Sequence, residues 1–158
     1  MPGPGSPRTR IVRLTESDWE QFAHLRLRAL SDTFGTADEQ YLAESRFTPA
    51  SWRQRLREHA QFALLLGDRP VGLIAAHRER PDTVYLYSLW LDPRVRGRGL
   101  ARGLVGVALD WARRSGVRTV TLRMVPDNRA ARAVYEGFGF IEVPGGGADE
   151  VGMRLSLG

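Results

Sequence analysis

Apolar and polar residues follow one another in blocks of changing period. Residues 10–14 alternate and predict a short first strand. Ser17 is placed to cap a helix over 18–30, where Trp19, Phe22, Ala23, Leu25 with Arg26, and Ala29 with Leu30 recur at helical spacing. Residues 31–48 are polar and read as loop. Pro49 opens a second helix reaching about His59. Residues 61–66 and 69–77 read as two strands joined at Gly67 and Asp68, a hairpin signal. A third strand over 83–91 follows Pro81 and Asp82. Residues 100–115 make the strongest helix, with Leu100, Leu104, Val107, Ala108 and Trp111 on one face and Gly116 at its end. A strand over 117–125, a helix over 128–136 stopped by Gly137, and strands over 140–143 and 151–157 around Gly145, Gly146 and Gly147 complete the chain.

The predicted order is β-α-α-β-β-β-α-β-α-β-β. The hairpins require antiparallel pairs. The strand over 83–91, the helix after it and the strand over 117–125 form a right-handed crossover, so those two strands should be parallel. The fold class is therefore α/β, a mixed central sheet with helices on both faces. Residues 1–9, rich in Pro and Gly, read as a flexible tail, and residues 10–158 as one domain. The tail lacks the apolar stretch of a signal peptide, and the longest clean apolar run, 62–66, is too short for a membrane. A cytoplasmic protein is expected.

Composition narrows the chemistry. All 23 basic residues are arginine, and cysteine is absent. A P-loop lysine, a Schiff-base lysine, a thiol nucleophile, cysteine zinc sites and disulfides are all excluded. The net charge of +5 and an isoelectric point near 10.6 suit an anionic partner. His24, His59 and His77 are scattered in sequence without metal-ligand spacing, and no metal is expected.

The informative stretch runs from Leu89 through Trp90, Leu91, Asp92 and Pro93 to Arg94, Val95, Arg96, Gly97, Arg98, Gly99, Leu100, Ala101 and Arg102. It joins a strand to a helix start through a loop of glycines and arginines. Unpaired N–H groups at a helix N-terminus, glycines that admit a close anion, and forked guanidiniums together suit a phosphate. Arg102 stands where a dinucleotide fingerprint needs glycine, which argues against that fold.

Arg96 to Ala101 resembles the R/Q-x-x-G-x-G/A motif of the GNAT superfamily of N-acetyltransferases, with Pro93 three residues earlier supporting that register. Asn128 to Phe140 resembles a second family signature, N-x-x-A-x-x-x-Y-E-x-x-G-F. The resemblance spans about residues 10–157. It implies acetyl-CoA as acetyl donor. Leu89, Trp90 and Leu91 would pair through their backbone with the pantetheine arm. Arg96, Gly97, Arg98, Gly99, Leu100, Ala101 and Arg102 would hold the pyrophosphate, and Asn128 would contact the cofactor arm. Tyr135 would lie near the thioester sulfur as general acid, since a phenol with pKa about 10 stays protonated at neutral pH.

Some members of that family place a glutamate base where this chain has Arg123, or on the strand before the phosphate loop, where it has Tyr85, Tyr87 and Ser88. Proton removal through water held by Tyr87, Ser88 or backbone carbonyls is the expectation instead. Glu39 and Glu44 would draw a cationic acceptor, with Glu39 and Tyr87 as substrate-binding residues. The expected reaction is direct transfer to a primary amine, of a small molecule or a protein, without an acyl-enzyme. The alternative is a catalytically weak CoA-binding module. No nucleic acid or membrane partner is expected; a homodimer is allowed for.

Overall fold

The computed structural model describes residues 8–144 and 149–158. Gly145, Gly146 and Gly147 lie outside the described residues, as does the expected tail up to residue 7. Thr9, assigned to that tail, instead opens β1 (Thr9–Arg13). Then follow α1 (Trp19–Phe34), α2 (Glu39–Ser45), α3 (Pro49–Glu58), β2 (Ala60–Leu66), β3 (Arg69–Arg80), β4 (Thr83–Leu91), α4 (Leu100–Arg114), β5 (Thr119–Met124), α5 (Arg129–Gly137), β6 (Ile141–Val143) and β7 (Val151–Ser156).

The strands form one sheet in the order β1-β2-β3-β4-β5-β7-β6, with β4 and β5 parallel and the other neighbours antiparallel. Helices cover both faces. On one, Leu104, Val105, Ala108, Leu109 and Ala112 of α4 meet Phe62, Leu64, Ile74, Val84, Leu86, Val120 and Leu122, with Tyr135 of α5 beside them. On the other, Phe22, Leu25 and Ala29 of α1 and Trp52 and Leu56 of α3 meet Ala63, Leu65, Leu73 and Trp90. Each wholly buried leucine here is worth about 1.5–3 kcal/mol in removal from water. Gly72 lets α4 approach β3. A Cβ there would stand 2.9 Å from Leu91 Cδ2 and 3.1 Å from both Leu104 Cδ1 and Leu64 Cβ.

Three expectations change. Three helices, not two, separate β1 from β2. α1 continues to Phe34, and Asp38 caps α2 by accepting from the amides of Gln40 and Tyr41 at 3.0 and 3.1 Å. α2 carries no apolar stripe that a sequence shows, because its one buried side chain is a carboxylate, Glu44, while its Leu42 is exposed. Ser17 does not cap α1. It sits in a short 3₁₀ turn, where Asp18 accepts from the Thr15 amide at 2.8 Å. The inward face of α4 is turned from the expected one: Leu100, Val107 and Trp111 are only partly buried, and Val105, Leu109 and Ala112 point inward.

Candidate active site

β4 and β5 pair only over Thr83–Leu86 and Thr119–Leu122. Beyond them β4 runs on to Leu91 while β5 pairs on its other side with β7, so the two strands part. On that far half, β4 carries a bulge. Tyr87 opposes Ala75 and Trp90 opposes Leu73, so Ser88 and Leu89 together face Ile74. Ser88 has φ 61°, a left-handed conformation that costs an ordinary residue about 1–2 kcal/mol.

A polar network holds the bulge. Arg26 Nη1 donates to Ser88 Oγ at 2.8 Å, and its Nε and Nη2 donate to the two oxygens of Glu44 at 3.0 and 3.2 Å. Arg55 Nη1 and Gln40 Nε2 also donate to Glu44, at 3.2 and 3.0 Å. Burial alone would raise the Glu44 pKa; the bonds from Arg26 and Gln40 and the charges of Arg26 and Arg55 outweigh it and hold it below its ordinary value. Glu44 is thus closed to an acceptor, and the Ser88 hydroxyl is engaged by a guanidinium. In the sequence Arg26 shows as a charge on the apolar stripe of α1, the one signal of this network.

The loop over 96–101 has the backbone its motif requires. Gly97 and Gly99 have φ 80° and 74°, and a Cβ on either would meet nothing within 4 Å. The glycines therefore serve conformation and an open approach to the N-terminus of α4, which Gly99 caps. The arginines of 94–102 do not all stand open to phosphate. Arg94 grips buried Asp92 through Nε and Nη2 at 3.1 and 2.9 Å. Arg28 reaches the same carboxylate at 2.5 Å. Hydrogen bonds from Arg94, and the charges of Arg94 and Arg28, hold Asp92 far below the usual carboxylate range. Arg96 donates to the Leu91 carbonyl at 3.0 Å and to Asp32 at 2.8 Å, where Trp90 Nε1 also donates at 2.9 Å. Arg96 therefore braces the loop against the end of α1. Arg98 only approaches the Arg94 carbonyl, at 3.5 Å, and Arg102 lies over the Phe138 ring, leaving these two guanidiniums without a carboxylate partner among the described residues.

Leu89 and Leu91 pack toward α4, and the Trp90 ring is buried on the opposite face. Asn128 caps α5, its side-chain oxygen accepting from the Ala131 amide at 3.1 Å, which leaves its NH₂ group to other partners. Tyr135 packs edge-on against Phe140 and is 7% exposed. Burial, with a smaller contribution from Tyr85, pushes its phenol well above the ordinary tyrosine value. Tyr87 lies one residue before the bulge. Its hydroxyl meets His59 Nδ1 and accepts from Gln61 Nε2 at 3.4 Å. Glu39 is exposed in the first turn of α2. The histidines are less scattered than they look in sequence, because His59 stacks on His77 at 4.1 Å and 12°.

Parted parallel strands beside a left-handed glycine loop at a helix N-terminus leave open backbone donors and acceptors of the kind that suit an extended, phosphate-bearing ligand. The acetyltransferase (GNAT) family model matches residues 14–140, and the chain belongs to that family. An uncharacterized N-acetyltransferase of Methanocaldococcus jannaschii is 25% identical over 140 residues, 84% of this chain and 60% of that protein. A mycothiol acetyltransferase of Beutenbergia cavernae is 46% identical over 65 residues, covering 40% of this chain and 22% of its own length. The chain thus spans between about a fifth and three fifths of these two relatives. The Thermoplasma acidophilum PaiA N-acetyltransferase, solved with coenzyme A, superposes with TM-score 0.76 at 14% identity, over 94% of this chain and 99% of that one. A GNAT-family acetyltransferase of Streptococcus pneumoniae gives 0.76 at 20% identity, over 96% of this chain and 100% of its own.

Proposed function

We propose that the chain transfers an acetyl group from acetyl-CoA to a primary amine by direct attack in a ternary complex in the cytoplasm. The parting of β4 from β5 beside the glycine loop carries this reading. The backbone of Leu89, Trp90 and Leu91, unpaired on the β5 side, suits the amides of the pantetheine arm. The N–H groups of the loop and of the first turn of α4 suit the pyrophosphate, with Arg98 and Arg102 adding charge. The NH₂ of Asn128 is free to donate to the arm. Bound acetyl-CoA would supply an activated thioester.

The buried Tyr135 phenol resists ionisation more than a thiol, whose ordinary pKa is about 8.5. It serves as a hydrogen-bond donor to the departing sulfur rather than as a group that gives its proton up for good. With Glu44 consumed by arginines, Arg123 and Arg154, on β5 and β7, are exposed on the sheet face shared with Tyr85, and Glu79 and Glu150 also act on that phenol. The two arginines favour an acceptor whose amine stands beside an anionic group.

The test is release of free CoA from acetyl-CoA across a panel of amines, with matched pairs that do and do not carry a carboxylate. Turnover, faster with the carboxylate, is expected. Binding of acetyl-CoA without acetyl transfer to any amine overturns the enzyme reading. In a folded Gly99→Asp variant, calorimetric affinity for acetyl-CoA should fall at least about tenfold, roughly 1.4 kcal/mol.

A further inference from the structure

We infer that Tyr87 and His59 form a proton relay that takes up the proton an acceptor ammonium must lose before it attacks. The inference rests on the acetyltransferase reading and adds the base that this reading lacks.

The geometry is built around one phenol. A hydroxyl has one proton and two lone pairs. Tyr87 can direct its proton at His59 Nδ1 and accept from Gln61 Nε2, which leaves one lone pair for a further donor. Tyr85 stacks beside Tyr87 with centroids 5.9 Å apart and ring planes 11° from parallel, and His77 stacks on His59. His77 Nδ1 is buried and has no hydrogen-bond partner among the described residues, so this cluster already holds polar capacity that the fold leaves unsatisfied. Glu44, across Tyr87, is closed by Arg26, Arg55 and Gln40. Arg55 and Glu58 face His59 from α3; Arg123, Glu79 and Glu150 act on Tyr85. Burial, then the charges of His77 and Arg55, lowers the His59 pKa below its ordinary 6.5, so at pH 7 the ring is neutral and able to accept. Burial raises the Tyr87 phenol, so it passes a proton on without ionising by itself.

The proton balance is complete. The ammonium gives one proton to Tyr87 Oη as Tyr87 gives its own to His59 Nδ1, and His59 later releases it to water. The free amine attacks, the N–C bond forms, and the C–S bond breaks. The surplus proton on nitrogen ends on sulfur, leaving amide and thiol.

The experiment compares His59→Gln and Tyr87→Phe with the parent. Two acceptors are used: a basic alkylamine, and a weakly basic amine that is already unprotonated at neutral pH. With the alkylamine, both variants should lose about 10²-fold or more in kcat/KM at pH 7, the low end of the usual worth of a positioned base. The inflection that His59 adds to the acid limb of the pH profile should disappear with it, leaving the rise set by the amine's own ionisation. With the weakly basic amine both variants should stay within about threefold of the parent, since no proton need be removed. Equal losses on the two amines, or an unchanged pH profile, overturn the relay while the acetyltransferase reading stands. A parent that turns over no amine overturns both. Calorimetric acetyl-CoA binding reports folding, and if His59→Gln fails it, Tyr87→Phe decides alone.

Discussion

Guanidinium is the only permanent side-chain cation in this chain, and its fork sets what each buried carboxylate can do. Arg94 reaches both oxygens of Asp92 while Arg28 shares one of them. Lysine, a single point charge, could not reproduce this grip. The folded Asp92 pKa lies below its unfolded value near 4, so its stabilisation is present above about pH 4 and is lost as pH falls through the folded value. Asp92→Asn should therefore destabilise the protein by about 1.5–3 kcal/mol at pH 7, the worth of a charge-assisted hydrogen bond. In urea melts the gap to the parent should close as pH is taken below 4. At Tyr135 one atom carries the prediction. Tyr135→Phe keeps the ring against Phe140, so acetyl-CoA affinity should hold while single-turnover transfer falls about 10²–10³-fold, the cost of one lost hydrogen-bond donor to developing charge. A change within about threefold would show that the ring only packs, being less than about 0.7 kcal/mol of barrier.

Elements meet here with little tolerance where α4 crosses β3. Gly72→Ala would force its methyl against Leu91, Leu104 and Leu64, and overpacking of this kind costs about 1–3 kcal/mol. A lowered Tm with unchanged oligomeric state is the expected readout; an unchanged Tm would mean that the leucines yield. At this scale the sequence was legible wherever apolar periodicity and glycine punctuation speak. The seven strands, the crossover from β4 to β5, the α4 helix and its glycine loop all stand near their expected places. It was illegible where polar groups do the anchoring, as with Glu44 in α2. It also failed where one residue shifts a register. A regular hairpin around Gly67 and Asp68 would set His77 opposite residue 58. The irregularity between Leu64 and Leu65 moves the pairing by one, so that Ala60 meets Ala76 and His59 comes to lie beside His77. No spacing rule reads that bulge in advance, nor the one at Ser88, which is occupied by a residue that rarely adopts φ 61°.

For the whole molecule, the charge of +5 is spread more evenly than the cluster over 94–102 suggests. Arg94 and Arg96 are neutralised by Asp92 and Asp32, so Arg98 and Arg102 remain to meet phosphate. Raising salt should weaken CoA binding more steeply in the parent than in an Arg98→Gln, Arg102→Gln double variant, because exposed charges are screened within about 8–10 Å at physiological ionic strength. Parallel salt slopes in parent and variant would instead mark both arginines as ordinary surface. The early parting of β4 and β5 has a consequence for folding itself. Four residues of each strand are paired, and the next five of β4 have no strand on that side. A ligand lying along them becomes one more strand of the sheet, and its concentration becomes a folding variable. At a hundred times Kd it would add about 2.7 kcal/mol to stability. The melting temperature of this protein should then work as a gauge of how much acetyl-CoA surrounds it.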